Sequence, residues 1–450
     1  MQVLIVGAGE VGSQTAARLT QEGHSVSVVD QDITTLTLLQ QRADIQVVQG
    51  DGTSPRILKK AGLEIADMVI AVTDSDEANM IAALIAGSMK HNPILISRVR
   101  NTEYEYNSTI LGKDGLKLDL VLNPDRDAVN LILQLIERPH ASYWASFFSG
   151  ELNCMSFLAT RPLIEGFKNA REKGFPDLGW LPILVDRRGN WYEMQESPQV
   201  YEGDRVYCMV QQDKIHQMYE NLFQGYTRPS RIMILGGNEL GFSLAKRLER
   251  ENYDCKLIEA DRTRCFELAQ KLQTTVVLHG QGSDEALLVE ENIGAHDVFV
   301  AAEENEEVNI LSCLLAKRLG TPRVIALSNK ISYLPLLSRL GVDVSIAPRL
   351  MSVKKIVQFI RSERISQVEI IGDGRYEMVE LEILESDEMS GRPVEALVLP
   401  EHTFLVAMRH LGEVILNFKD KVLNPKDRCM FLVPHTAVNS LIKSIKTGTP

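Results

Sequence analysis

The feature that most limits what this chain can fold into is that it is written twice. Residues 2–31, QVLIVGAGEVGSQTAARLTQEGHSVSVVDQ, return in altered form as residues 231–260, RIMILGGNELGFSLAKRLERENYDCKLIEA. Gly7 meets Gly236 and Asp30 meets Glu259. One inserted residue later, Gly50-Asp51-Gly52 meets Gly280-Gln281-Gly282, and Asp67 meets Asp297. Internal repetition outranks local signals, because it fixes the unit of folding before any element is assigned. The unit is roughly 225 residues, an ordinary domain-scale length, and a chain of 450 residues exceeds what one core holds.

Within the first copy, short apolar runs alternate with helical patterns, predicting strands near 2–6, 25–29, 45–48, 67–72, 94–98 and 118–122. Six strands in βα alternation require crossover helices and hence a parallel, doubly wound α/β sheet of Rossmann type. The second copy repeats the pattern from about 231 to 347. Each sheet is followed by a helical stretch, 125–137 and 349–364, and then by a segment of different rhythm. Those tails also align, Gly189 with Gly412 and Asp204-Arg205 with Asp427-Arg428. Asp-Arg before an apolar run reads as the last strand of a small α+β module. The expected order is a Rossmann domain at 1–124, a crossover helix at 125–142 and a small module at 143–227, then the same series at 228–348, 349–365 and 366–450. Gly, Thr, Pro and Ser between Gly225 and Ser230 mark the break between halves.

Gly7-Ala8-Gly9-Glu10-Val11-Gly12 fits G-x-G-x-x-G between a strand and a helix, with the acidic Asp30 closing the next strand. In a dinucleotide site the first glycine permits the tight turn, the second lets the backbone approach a pyrophosphate, and the third allows close helix–strand packing. The pyrophosphate rests on the helix N-terminus, where free N–H groups and the dipole favour negative charge. Asp30 would accept from ribose hydroxyls and repel a 2′-phosphate, favouring NAD(H) or another adenine nucleotide over NADP(H). A glycine turn in a sheet without a ligand is the plainer reading of the same residues. In the second copy, Gly236-Gly237-Asn238-Glu239-Leu240-Gly241 carries Asn at the middle glycine, while Glu259 still supplies an acid. A side chain there narrows the phosphate approach, so occupancy of this site stays open. Asp51-Gly52, Thr73 and Arg98 fall at strand C-terminal ends, where open α/β sheets place ligands. Asp51-Gly52 is an adenine contact or a plain turn, Thr73 a phosphate or ribose contact, and Arg98 a phosphate ligand or half of a surface ion pair. Ser328 replaces Arg98 in the second copy.

Other chemistries find no foothold. The six cysteines at 154, 208, 255, 265, 313 and 429 lack zinc-ligand spacing and read as free buried thiols of a reducing cytosol. There is no Walker A motif, no H-E-x-x-H and no G-x-S-x-G. The nine histidines are dispersed. His24, His91 and His140 read as surface or half-buried, and none pairs obviously with a carboxylate as a dehydrogenase acid/base couple. A formal charge of −12 without a basic run argues against nucleic acid. No apolar run approaches the ~20 residues of a membrane helix, and the N-terminus, entering a strand at once, has no export signal.

The whole chain, through VLIVGAGEVGSQTAARL with VVDQD, then QGDGTSP, ADMVIAVTDSDEANMIAALIA and SRVRNTEY, resembles the regulatory subunits of bacterial and archaeal Trk-type potassium-uptake systems. These are tandem RCK (regulator of potassium conductance) proteins. The resemblance implies a non-enzymatic, cytoplasmic homotetrameric ring, peripheral on the plasma membrane through a Trk-type channel subunit that NAD(H) or ATP/ADP binding would gate. It implies a first nucleotide site at Gly7 to Val11, Asp30, Asp51-Gly52, Thr73 and Arg98, and a second at Gly236 to Leu240 and Glu259. Neighbouring Rossmann units would repack through the crossovers near Pro124 and Pro348. The competing expectation is an NAD-dependent oxidoreductase of duplicated Rossmann architecture, which would need a separate substrate domain with a His or Lys poised for proton transfer.

Overall fold

The computed structural model describes residues 1–450 except 90, 102, 105–107, 113–114, 195–197, 224–227, 331–332, 361–364, 373, 419 and 449–450. The expected break at Gly225 to Ser230 and the end of the 349–364 helical stretch therefore fall partly outside the described residues, as does Thr102 of SRVRNTEY.

The first Rossmann sheet takes the order β3-β2-β1-β4-β5-β6. Its strands are β1 Gln2–Val6, β2 Ser25–Asp30, β3 Gln46–Gln49, β4 Met68–Ala71, β5 Ile94–Arg98 and β6 Leu120–Leu122. All its neighbours are parallel. Such strands are covered on both faces and read as continuous apolar runs, which is why β1 and β4 are buried over nearly their whole length. The helices between them are α1 Glu10–Gln21, α2 Ile33–Arg42, α3 Pro55–Lys60 and α4 Asp76–Gly87. Their starts follow local chemistry. Asp32 caps α2 at Thr34 N, Pro55 opens α3, and Ser75 caps α4 at Ala78 N with Asp76 and Glu77 in its first turn. β6 begins two residues later than its apolar pattern suggests, because Asp119 is spent on the sheet edge, accepting from Leu95 N at 2.7 Å.

The second sheet repeats the order as β14-β13-β12-β15-β16-β17. Here β12 is Arg231–Leu235, β13 Asp254–Glu259, β14 Val276–His279, β15 Val298–Ala301, β16 Arg323–Leu327 and β17 Val344–Ile346. The small modules are five-stranded antiparallel sheets of one topology, β10-β9-β11-β8-β7 and β18-β19-β22-β20-β21. The first holds β7 Ala141–Phe147, β8 Leu152–Leu158, β9 Trp180–Arg187, β10 Asn190–Glu193 and β11 Arg205–Gln211. The second holds β18 Ile365–Ile371, β19 Tyr376–Glu382, β20 Phe404–His410, β21 Glu413–Ile415 and β22 Arg428–Pro434. The aligned Gly189 and Gly412 sit in equivalent hairpin turns, each preceded by a residue of positive φ, Arg188 or Leu411. Two successive positive φ values give the turn whose twist suits a two-residue hairpin. The Asp-Arg pairs introduce β11 and β22, each the last strand of its module.

The chain divides into two compact units, residues 1–129 with 346–360, and 130–345 with 361–450. In the first, Ile356 of the helix Pro348–Ile360 joins the core formed by Val3, Ile5, Val11, Ala16 and Leu19, and Lys355 Nζ meets Asp127 at 2.7 Å. In the second, side chains of both antiparallel sheets, among them Phe147, Cys154, Met209, Met378, Met430 and Leu432, form one buried cluster. Phe148 N donates to Glu380 at 2.9 Å, and Gln211 Nε2 to Val414 O at 2.7 Å. All six cysteines are free and buried. Among the described residues, no helix is long and apolar enough to cross a membrane.

Candidate nucleotide site

Gly7 to Gly12 form the turn from β1 into α1, and each glycine has its own constraint. Gly7 has φ +106°, and a Cβ there would stand 2.9 Å from Thr73 N. Gly12 lies directly on the Gly7 carbonyl, with no space for a Cβ, whereas a Cβ on Gly9 would meet nothing within 4 Å. The turn is tight at Gly7, packed at Gly12 and open at Gly9. Gly9 is the N-cap of α1, and no side chain caps it. Ala8 and Val11 are buried in the core, so only their backbone can face a ligand, while Glu10 is exposed.

Asp30 ends β2 beside this turn. One carboxylate oxygen accepts from Ala8 N at 2.6 Å and the other from Asp32 N at 2.9 Å. Each keeps a further lone pair for a hydroxyl donor. Asp51-Gly52 follows β3, Thr73 follows β4 and Arg98 ends β5, so every residue expected in the first site stands at the C-terminal edge of one sheet. Asp51 forms a local turn, accepting from Thr53 N at 2.8 Å and Thr53 Oγ1 at 2.7 Å, which holds its carboxyl below the usual range. Gly52 packs closely on β1, and a Cβ there would overlap Val6 Cγ1.

The ion pair of Arg98 reaches the surface through Asp74, which is 87% exposed, whereas Arg98 itself is buried. Its side chain is 4% exposed and binds Asp74 at 2.8 Å, and its Nε is buried without a partner. Burial works against the Asp74 charge, but the Arg98 hydrogen bond and the charges of Arg98, Arg349 and Arg100 overcome it and hold the carboxyl low.

The residue that organises this edge was not singled out in the sequence. Asn79, fully buried in α4, accepts from Thr73 N at 2.8 Å and Thr73 Oγ1 at 2.7 Å, and donates to Thr73 O at 3.1 Å and Arg98 O at 3.0 Å. Asp76 accepts from Arg100 N at 2.9 Å and Asn101 N at 2.8 Å. The repeat carried the signal, since the register that joins Asp67 to Asp297 also joins Asn79 to Asn309 and Asp76 to Glu306.

The second turn reproduces the frame. Gly236 has φ +102°, Gly241 lies on the Gly236 carbonyl, and Glu259 accepts from Gly237 N at 2.8 Å and Asp261 N at 2.7 Å. Its N-cap is Asn238, whose side chain accepts from Gly241 N at 3.0 Å. Glu239 is exposed and Leu240 buried.

Three histidines of the small modules stand against carboxylates. His402 meets Glu193 at 3.0 Å, His410 meets Asp427 at 2.9 Å and His435 meets Glu377 at 2.6 Å. These pairs join different strands and loops of the small modules, so local spacing could not reveal them, and none involves a residue of either glycine turn. Among the described residues no group of acidic, His and Cys side chains could hold a metal ion.

Two Rossmann sheets, each followed by a small antiparallel module, define a protein of tandem RCK architecture. The chain overlays the GsuK RCK domain with a TM-score of 0.62 over 99% of this chain and 94% of that one, at 17% identity. Residues 3–124 and 232–348 each match the TrkA-N domain family. The Trk system potassium uptake protein TrkA of Azorhizobium caulinodans is 33% identical over 435 residues, covering 95% of each chain. That of Vibrio alginolyticus is 32% identical over 442 residues, covering 96% of each. The chain belongs to the TrkA family of Trk system potassium uptake proteins. It stands with potassium-uptake proteins rather than with oxidoreductases.

Proposed function

We propose that this protein is the nucleotide-sensing regulatory subunit of a Trk-type potassium-uptake channel, and that its first Rossmann domain is the sensor. The observation that carries this reading is the Gly9 position. It combines open space, an uncapped helix N-terminus and an adjacent carboxylate already oriented by Ala8 N. A pyrophosphate fits the open turn and the helix dipole, and ribose hydroxyls fit the remaining lone pairs of Asp30. The GsuK channel, a structural relative at 16% identity and a TM-score of 0.61, is known bound to NAD. NAD(H) and ATP/ADP are the ligands we assign here, with NADP(H) disfavoured by the Asp30 charge.

Thr73 and the pair of buried Arg98 with exposed Asp74 then link the ligand to the structure. Both are tied to Asn79 or to the end of β5, so a ligand that displaces either one loads the sheet edge. The protein would work as a homotetrameric ring at the cytoplasmic face of the membrane, held there by its channel subunit. A ligand moves such a ring only through its differential affinity for two shapes, so NADH, ATP and ADP can act in opposite senses at one site.

The test is calorimetric titration of the full chain with NADH, NADPH, ATP and ADP. Saturable binding of NADH or ATP but not NADPH, weakened at least about tenfold, roughly 1.4 kcal/mol, in Asp30→Ala, is expected. Failure of every adenine nucleotide to bind the native chain refutes the reading.

A further inference from the structure

The two glycine turns have the same backbone, and their side chains therefore isolate what differs. Gly9 lies at φ −62°, ψ −173° and Asn238 at φ −65°, ψ −178°. The preceding glycines have φ of +106° and +102°. No backbone rearrangement separates an open turn from a closed one. At Gly9 the position of a Cβ is open space. At Asn238 that space holds an amide bonded on both sides, with Nδ2 donating to Ala302 O at 2.6 Å and Oδ1 accepting from Gly241 N at 3.0 Å. The first-turn N–H group that would otherwise be offered to an anion is already satisfied by the chain itself.

A second side chain completes the closure. Arg264, on the helix Arg262–Lys271, donates from Nε to the Gly237 carbonyl at 2.9 Å and from Nη2 to Glu239 at 2.9 Å, while Nη1 meets Glu267 at 3.0 Å. The guanidinium spans from the glycine turn to the helix start, with its charge committed to two carboxylates. The repeat places Thr35 at this position in the first domain, and its hydroxyl turns to Asp32 at 2.7 Å, leaving the turn uncovered.

Charge points the same way. Glu303 stands where the first domain has Thr73, and Ser328 where it has Arg98. Burial, with the nearby Glu259 charge adding to it, raises the Glu303 carboxyl above its ordinary range, as expected for an acid in surroundings that disfavour more negative charge. At this one place a pyrophosphate entering the second domain would meet a carboxylate, Glu303, beside Glu259, where the first domain presents the Thr73 hydroxyl beside Asp30.

We infer that each chain binds one adenine nucleotide, at the Gly7–Gly12 turn, and that the second turn is a self-filled counterpart in which Asn238 and Arg264 occupy the phosphate cradle. This rests on the sensing role proposed for the first turn. It makes the second Rossmann domain a scaffold and not a second sensor.

The experiment measures the stoichiometry of NADH and, separately, ATP on the full-length protein. One equivalent per chain is expected for the native protein. Gly9→Asn introduces the residue of the second turn at a backbone geometry it already adopts and into open space. It should weaken binding at least tenfold while leaving the thermal unfolding midpoint unchanged. The reciprocal variant Asn238→Gly/Arg264→Thr/Glu303→Thr should gain a second equivalent. Two equivalents on the native chain overturn the inference, as does undiminished binding in a folded Gly9→Asn. A folded triple variant that still takes one equivalent overturns the role given to these side chains. The first two arms decide the stoichiometry regardless of how the triple variant folds. No binding by the native chain is a different result, and it removes the sensing role itself.

Discussion

In the first Rossmann domain, Asn79 ties the loop after β4 to the end of β5 with four hydrogen bonds. In the second, Asn309 accepts from Glu303 N at 2.8 Å and donates to Glu303 O at 2.8 Å and Leu327 O at 3.0 Å. Asp76 and Glu306 hold the backbone after β5 and β16, and Asp67 and Asp297 both pin the start of their first strand, at Gln2 N and Arg231 N. These bonds are alike even where the side chains they serve are not, since Asn309 grips a glutamate where Asn79 grips a threonine. The two domains keep the groups that satisfy buried backbone and differ in those that face the open edge. Losing a buried polar partner costs stability wherever the domain sits, whereas a residue at the mouth is constrained only by what must enter.

The largest effects should therefore be the same in both halves. Gly12→Ala and Gly241→Ala each force a Cβ onto a carbonyl that cannot move without breaking the turn. Each should lower stability by about 3 kcal/mol, the upper range for forced overpacking, measured by chemical denaturation. Tolerance of either substitution would mean that this half does not hold the packed turn. Asn79→Ala and Asn309→Ala come next. Each leaves buried backbone groups without partners and should cost about 2 kcal/mol. Only Asn79→Ala should also weaken nucleotide binding, because Thr73 and Arg98 lose their common anchor. Equal loss of binding from both variants would place ligand in both domains.

The parts of this comparison readable in the sequence were those with a local period or a local motif. Strands such as β1 and β4 declare themselves because a parallel strand is apolar on both faces, and the turn at Gly7 because a positive φ demands glycine. The small modules were legible only as aligned punctuation, at Gly189/Gly412 and Asp204/Asp427. Their five-strand orders depend on pairings such as β8 with β11, between residues far apart in the chain. Asn79 escaped notice because a buried asparagine in an Ala- and Ile-rich helix has no local signature, and its function exists only once β4 and β5 are adjacent. The burial of Arg98 was not legible for a related reason. A strand-terminal arginine looks exposed in sequence, and its burial beside the exposed Asp74 emerges only in three dimensions. Asn238 was visible as a departure from the motif, but Arg264, which covers the same turn, lies on the following helix and becomes relevant only in three dimensions.

The smallest predicted effect concerns a bond that only one half possesses. Glu249 ends the first helix of the second domain and gathers Gln273 N, Thr274 N and Thr275 N on one carboxylate oxygen at 2.9, 2.8 and 2.7 Å. The repeat puts Thr20 at this place in the first domain, bonded only to its own helix at Ala16 O, 2.9 Å away. Burial opposes the Glu249 charge, but the three N–H donors outweigh it and hold the carboxyl below its ordinary value of 4.5. A carboxylate whose folded pKa is depressed adds stability that is fully present above the unfolded value and lost as pH falls through the folded one. Glu249→Gln should therefore cost about 1 kcal/mol at neutral pH, and the difference from the native chain should shrink as denaturation curves are repeated toward about pH 3. Thr20→Ala should stay within about 0.5 kcal/mol at every pH. A Glu249→Gln penalty that persists unchanged in acid would show that shape and not charge holds the segment before β14, and the two domains would then differ there in packing alone.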